Sequence, residues 1–259
     1  MQKQHYIAIG ISLIVLVLLY FGFDTVPPKQ KELEKSRSLQ LEVTGNQNIL
    51  DKATRELDNE DKSVIEALNL DVEKAENDSI RVQNLKILAS TWYEFGQPSV
   101  SAIYAEQIAE QTKNYDSWSI TGTTYMICAR STEDDTLRNF CSARALKALE
   151  MAISLDPDKV EPKINQALVY VDNPDKENPM KGILMLRELQ EKYPKNTAIL
   201  NQLAVLALKT NQIEKALERL NESYHIDSKN NNTICLLADA WQLAGDEQKA
   251  KEFKSQCKS

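Results

Sequence analysis

"DSWSITGTTYMICAR", residues 116–130, sets one large aromatic, Trp118, three and four positions before the small pair Thr121-Gly122. A second aromatic, Tyr125, stands three and four positions after the pair. Residues at these spacings share one face of an α-helix. A small residue there lets a second helix approach closely, and large neighbours fill the groove on either side. The stretch therefore predicts the first helix of a tight helical hairpin.

The arrangement recurs. Leu203-Ala204 is followed by Ala207, Ala216 and Leu220, and 34 positions later stand Leu237-Ala238, Trp241, Ala250 and Lys254. Gln166-Ala167 precedes Tyr170, Leu186, Leu189 and Tyr193-Pro194, while Leu88-Ala89 precedes Trp92, Gly96, Ala102 and Ala105. Behind Thr121-Gly122 come Ala145, Leu149, Ala152 and Asp156-Pro157. The small residues 89, 122, 167, 204 and 238 step by 33, 45, 37 and 34. Two inserts, of about 11 and about 3 residues, account for the longer steps. A second small residue, Ala145, Ala216 or Ala250, is expected to meet the first from the second helix, and proline closes a unit because it cannot continue a helix.

WSITGTTY resembles the tetratricopeptide repeat pattern W-x2-L-G-x2-Y, with Thr121 in place of Leu, and the alanines and closing prolines fall in phase with it. The resemblance spans roughly residues 82–259. It implies an α-solenoid of about five helical hairpins over 81–259, starting near 82, 115, 160, 197 and 231. The last helix, DEQKAKEFKSQCKS, offers a polar outer face and is expected to be the cap.

Composition agrees with an all-α chain. The 259 residues include only 7 Gly and 8 Pro, and Leu, Lys, Ala and Glu, all good helix formers, dominate. Net charge is −7, and no basic stripe suited to nucleic acid is present. Lys29, Lys31, Lys35 and Arg37 cluster, but Glu32 and Glu34 interrupt them, which suits a solvated helix face better than anionic lipid.

Residues 6–23, YIAIGISLIVLVLLYFGF, carry no charge. At about 1.5 Å per residue they reach about 27 Å, near the thickness of a hydrocarbon core. Twelve are Ile, Leu, Val or Phe, worth about 4 to 7 kcal/mol of insertion free energy. The apolar run is too long for a signal peptide, and FGFDTVPP is a poor cleavage site. With no cysteine following, lipoprotein processing is excluded. A transmembrane helix over 6–23 is expected, after a tail of residues 1–5. Asp24, Pro27 and Pro28 then open a linker with pre-repeat helices over 24–80. Within it Ile49, Leu50, Ala53 and Leu57, and then Val64, Ile65, Leu68, Val72 and Ala75, recur at helical spacing, and a juxtamembrane helix over 29–43 precedes them.

Orientation has two readings. Counting Lys and Arg around the span keeps the large part in the cytoplasm, but long domains cross largely regardless of charge. Cysteines favour the outside. Cys128 and Cys141 fall at the same end of one hairpin, and Cys235 and Cys257 at the same end of another, so two disulfides are within reach; the alternative is four free thiols. A 128–141 bond would close the acidic insert ARSTEDDTLRNF, read as a loop. The expected setting is a bacterial inner membrane with the repeats extracytoplasmic.

No G-x-S-x-G, H-E-x-x-H, P-loop or G-x-G-x-x-G occurs, there is no C-x2-C pair, and His225 is the only histidine beyond the membrane flank. Neither enzyme activity, cofactor, metal nor small-molecule substrate is expected. Asn221-Glu222-Ser223 and Asn231-Asn232-Thr233 fit a glycosylation pattern but read as turn and surface residues.

The resemblance implies a concave wall of first helices that binds extended segments of other proteins. Carried onto this chain, its groove positions are Lys86, Ser90 and Tyr93 in the first unit and Ser119, Thr123 and Met126 in the second. Ile164 and Leu168 follow in the third, Asn201, Val205 and Leu208 in the fourth, and Asp239 and Gln242 in the fifth. Lys86 lacks the Asn and Arg of the family's carboxylate clamp, so chaperone tails are not expected. The expected role is a membrane-anchored scaffold that recruits or chaperones envelope proteins. The alternatives are a constitutive subunit of a membrane complex, or a cytoplasm-facing adaptor.

Overall fold

The computed structural model describes residues 45–258. The tail, the span over 6–23, the basic cluster and the juxtamembrane helix lie outside the described residues. Among those described, twelve helices and no strand occur, and no helix is long and apolar enough to cross a membrane. The chain divides into two units at Asp51, inside α1 (Asn46–Glu56), and the second, Lys52–Ser259, is compact.

In the second unit, α2 (Asn59–Glu73) precedes five hairpins. They are α3 (Asp78–Glu94) with α4 (Pro98–Thr112), α5 (Tyr115–Ser131) with α6 (Asp135–Leu155), α7 (Glu161–Asp172) with α8 (Lys181–Lys192), α9 (Thr197–Lys209) with α10 (Ile213–Ile226), and α11 (Asn231–Leu243) with α12 (Glu247–Gln256). α2 turns Ile65 and Val72 inward, and Asn84 of α3 donates a 2.7 Å hydrogen bond to the Asp71 carbonyl.

Local sequence starts and stops these helices. Four of the five first helices begin on asparagine: the side chains of Asn77, Asn114, Asn196 and Asn230 accept from backbone N–H groups of the first turn. Each such cap stabilises its helix by about 1 kcal/mol. α7 instead carries Pro162 in its first turn, where no N–H is needed. Three first helices end on a left-handed residue seven positions after the small one: Gly96 (φ 72°), Asn211 (φ 56°) and Gly245 (φ 80°). The next amide then donates back to a carbonyl of the last turn, Gln97 to Trp92 at 2.9 Å, Gln212 to Ala207 at 2.8 Å and Asp246 to Trp241 at 3.0 Å.

The second and third hairpins lack this closure because the inserts fall there. The acidic insert is not the expected loop: only residues 132–134 lie outside helix. The extra residues lengthen α6 to 21 residues, and Asp134 caps it by accepting from the amides of Thr136 and Leu137. In the third hairpin, residues 173–180 form the connection.

Trp118, Thr121, Gly122 and Tyr125 of the opening stretch each have a packing role. Trp118 packs with Ala109 of α4 and with Ala148 and Ala152 of α6. The buried Thr121 hydroxyl donates across to the Ala105 carbonyl of α4 at 2.9 Å, and also bonds the Ser117 carbonyl. Gly122 makes room for Leu149: a methyl group at 122 would lie 2.6 Å from the Leu149 Cγ, and Ala145, the small residue expected from the second helix, is buried in the same core. Tyr125 is fully buried in a core that continues through Cys128, Cys141, Leu149, Ile164, Leu186, Ile199 and Leu203, and so joins the second, third and fourth hairpins. Ala204, Ala216, Leu220 and Leu237 extend the packing to the fifth.

A second close approach belongs to a residue absent from the sequence pattern. Gly182 of α8 lies against α7, where a methyl group would stand 2.7 Å from the Val171 backbone nitrogen and closer still to the Ala167 carbonyl oxygen. The third hairpin thus obeys the small-on-small rule, with glycine instead of alanine.

Candidate functional site

First helices form one wall, since α5 packs directly on α7 and α9 on α11. Expected groove residues divide by burial. Lys86, Ser90, Tyr93, Thr123, Asp239 and Gln242 are exposed, and Ser119, Val205 and Leu208 are half-buried. Met126, Ile164 and Leu168 are buried in the core shared by neighbouring hairpins. Asn201, 1% exposed, exchanges hydrogen bonds of 3.0 and 3.2 Å with Thr233 of α11, and Ser223 of α10 lies 2.9 Å from the same hydroxyl. The hydroxyl residues of both candidate glycosylation triplets are therefore interior. These apolar positions and Asn201 hold repeats together.

A notch lies over this packed middle. It is a cavity of about 370 Å³ between the ends of α5, α7 and α9. Leu168, Val171, Val205 and Leu206 supply an apolar floor, with Arg130, Asp172, Gln202 and Lys209 around the rim. Arg130 Nε bonds the Asp172 carboxylate at 2.6 Å, bridging two hairpins. Of the eight residues, the family positions had named only Leu168 and Val205. Of the rest, Arg130, Val171, Asp172, Leu206 and Lys209 belong to the last turns of their helices, and Gln202 stands two positions before Ala204 in the middle of α9.

Two further exposed residues were also missed. Ile87 and Ile120 stand two positions before their small residues, and Ile120 is 61% exposed. Asn165, the equivalent in α7, donates a 3.4 Å bond to Thr123 of α5, which sets this position on the wall. The 33-residue step between Ile87 and Ile120 was the available signal. Lys86 lines a separate, wider cavity at the open end of the first hairpin, with Arg81, Glu110 and Lys113.

The seam between the first two hairpins is polar. The Tyr125 hydroxyl donates to Glu106 at 2.7 Å, and Arg144 Nη1 reaches both oxygens of that carboxylate at 2.7 and 2.9 Å. Burial, reinforced by the Glu106 charge, pushes the Tyr125 hydroxyl above its ordinary range. These groups fix register.

The cysteines stand in two bonded pairs, Cys128–Cys141 with Cα atoms 6.0 Å apart and Cys235–Cys257 at 4.9 Å. The first ties α5 to α6 inside the core, two residues before Arg130. The second ties α11 to the residue after α12, where Asn231 and the Lys258 backbone exchange two 2.7 Å hydrogen bonds. Among the described residues no group of His, Cys, Asp or Glu is placed to hold a metal ion.

A profile of the coatomer epsilon subunit family matches residues 137–259. No curated protein matches the sequence. Among solved structures, a thermophilic tetratricopeptide-repeat protein of Thermus thermophilus is 17% identical, covers 76% of this chain and 100% of its own, and superposes with a TM-score of 0.51. MamA from Desulfovibrio magneticus (14% identity, 71% of this chain and 95% of its own) scores 0.41. YrrB, described as a tetratricopeptide-repeat protein with an unusual peptide-binding site, is 13% identical over 74% of this chain and 91% of its own and scores 0.37. Hairpins, in-phase small residues and the Thermus likeness agree on the fold: this chain is an α-solenoid of tetratricopeptide type.

Proposed function

We propose that the chain is a protein–protein interaction module, held at a membrane by residues 6–23, whose inner wall receives an extended segment of a partner protein at the notch between α5, α7 and α9. The carrying observation is the notch itself: an apolar floor ringed by charged and amide side chains, the composition that anchors one apolar side chain and orients a polar backbone. The repeats face the extracytoplasmic side of a bacterial inner membrane. Supporting this are the two cysteine pairs, since disulfides persist in oxidising compartments. The role is to recruit or chaperone envelope proteins.

The test has two arms. Partners co-purified with the intact chain from its own cells are compared with those of Val205→Asp, which places a charge on the notch floor. Loss of one partner set from a folded variant supports the module, and unchanged recovery overturns it. A reporter active only outside the cytoplasm, fused after Ser259, is expected to be active; an inactive fusion overturns the orientation.

A further inference from the structure

Charge at the notch rim is unbalanced. Asp172 is matched by Arg130, yet Lys209 pairs with no carboxylate among the described residues. Arg130 uses only its Nε on Asp172, and its Nη atoms make no bond among the described residues. One ammonium and one open guanidinium edge thus border an apolar floor, on a chain whose net charge is −7. Guanidinium forks and ammonium groups both favour carboxylates.

Spacing narrows the ligand further. Val205 and Lys209 lie one turn apart on α9, a rise of about 6 Å. In an extended chain, side chains two positions apart share a face at about 6.6 Å. An apolar side chain seated on Val205 would therefore bring the side chain two positions away to Lys209, and the intervening one would point off the wall.

We infer that the notch selects extended acidic segments in which a large apolar residue and an Asp or Glu are separated by one residue, the apolar group on the Leu168–Val205 floor and the carboxylate on Lys209 with Arg130 beside it. This rests on the reading of the notch as the binding site.

A random peptide library displayed on phage, panned on the intact chain in detergent and in parallel on Val205→Asp, tests it. The expected result is enrichment of peptides with an acid two positions from an apolar residue, lost on Val205→Asp. Synthetic copies should bind Lys209→Glu about tenfold more weakly. Replacing the peptide acid by Lys should restore binding to that variant. Enrichment that depends on Val205 but shows no acid, or that Lys209→Glu leaves unchanged, overturns the inference and leaves the notch as a binding site. Equal enrichment on Val205→Asp, or none on either protein, overturns both.

Discussion

The Tyr125 hydroxyl donates a 2.7 Å hydrogen bond to the Glu106 carboxylate across the seam between the first two hairpins, and Arg144 closes on the same group. The Glu106 side chain is 7% exposed against 29% for Arg144. Removing the arginine therefore strands the more deeply buried charge. Arg144→Ala is expected to cost about 3 kcal/mol, whereas Glu106→Gln, which keeps an acceptor for Tyr125, should cost about 1 to 2 kcal/mol. Urea unfolding of both variants checks the order; equal costs would mean that the carboxylate is not held as a buried charge.

Alkaline stability follows from the same pair. Burial and the neighbouring carboxylate raise the Tyr125 hydroxyl above its unfolded value of 10.0, and burial raises Tyr104 in the same sense. Below about pH 10 both hydroxyls are protonated in either state, so their contribution is fully present. Above it the unfolded chain releases protons that the folded chain retains. Stability should then fall by about 1.4 kcal/mol per pH unit for each retained proton. Tyr125→Phe should lose about one proton's worth of that slope between roughly pH 10 and 11, read as the shift of the urea midpoint. An unchanged slope would place the alkaline limit elsewhere.

Gly182 has the least room of any described helical glycine. A methyl group meets backbone there, at Val171 and Ala167, whereas at Gly122 the close atoms belong to the movable Leu149 side chain and the nearest backbone atom, the Leu149 nitrogen, is at an ordinary 3.4 Å. Gly182→Ala is expected to cost about 2 to 3 kcal/mol despite its better helix propensity, and Gly122→Ala less. Thermal unfolding distinguishes them. A stabilised Gly182→Ala would mean that α7 and α8 are not in backbone contact.

Gly182 also marks where sequence reading stopped. Five hairpins were legible because alanines and glycines in the first helices keep phase and their aromatic neighbours repeat. The insert in the third hairpin shifts its second helix by about 3 residues, so Gly182 falls out of register with Ala216 and Ala250. The notch was only half legible for a related reason. Leu168 and Val205 occupy repeat positions, but Arg130, Asp172 and Lys209 come from helix ends set by inserts and turn closures. Burial was not legible either: Met126 and Ile164 sit where a groove residue belongs, yet both are buried in the core that joins the hairpins.

The two disulfides differ in access. Cys128 and Cys141 are 1% and 0% exposed, while Cys235 and Cys257 are half-buried beside the last helix. Graded reductant with thiol labelling should modify Cys235 and Cys257 first and leave the core pair intact, because a thiolate must reach the sulfur it attacks. Hydrogen exchange should then rise in α12 and not in α5 or α6. By loop-closure entropy the outer pair contributes about 3 kcal/mol, confined to the terminal hairpin. Simultaneous labelling of all four cysteines would show that the solenoid opens as one unit.

Two helices end on a left-handed residue other than glycine, α4 at Lys113 (φ 50°) and α9 just before Asn211 (φ 56°). In this region a Cβ crowds the following carbonyl, at about 1 to 2 kcal/mol, and asparagine relieves part of this through its short polar side chain. Glycine removes the crowding but leaves the unfolded chain more freedom, a loss of about 0.5 to 1 kcal/mol. Lys113→Gly should therefore stabilise by about 0.5 to 1 kcal/mol, while Asn211→Gly should be near neutral, because less strain is there to relieve. Denaturant midpoints of the two variants test the difference. A larger gain at 211 than at 113 would mean that the lysine is held in that geometry by an interaction that glycine cannot replace.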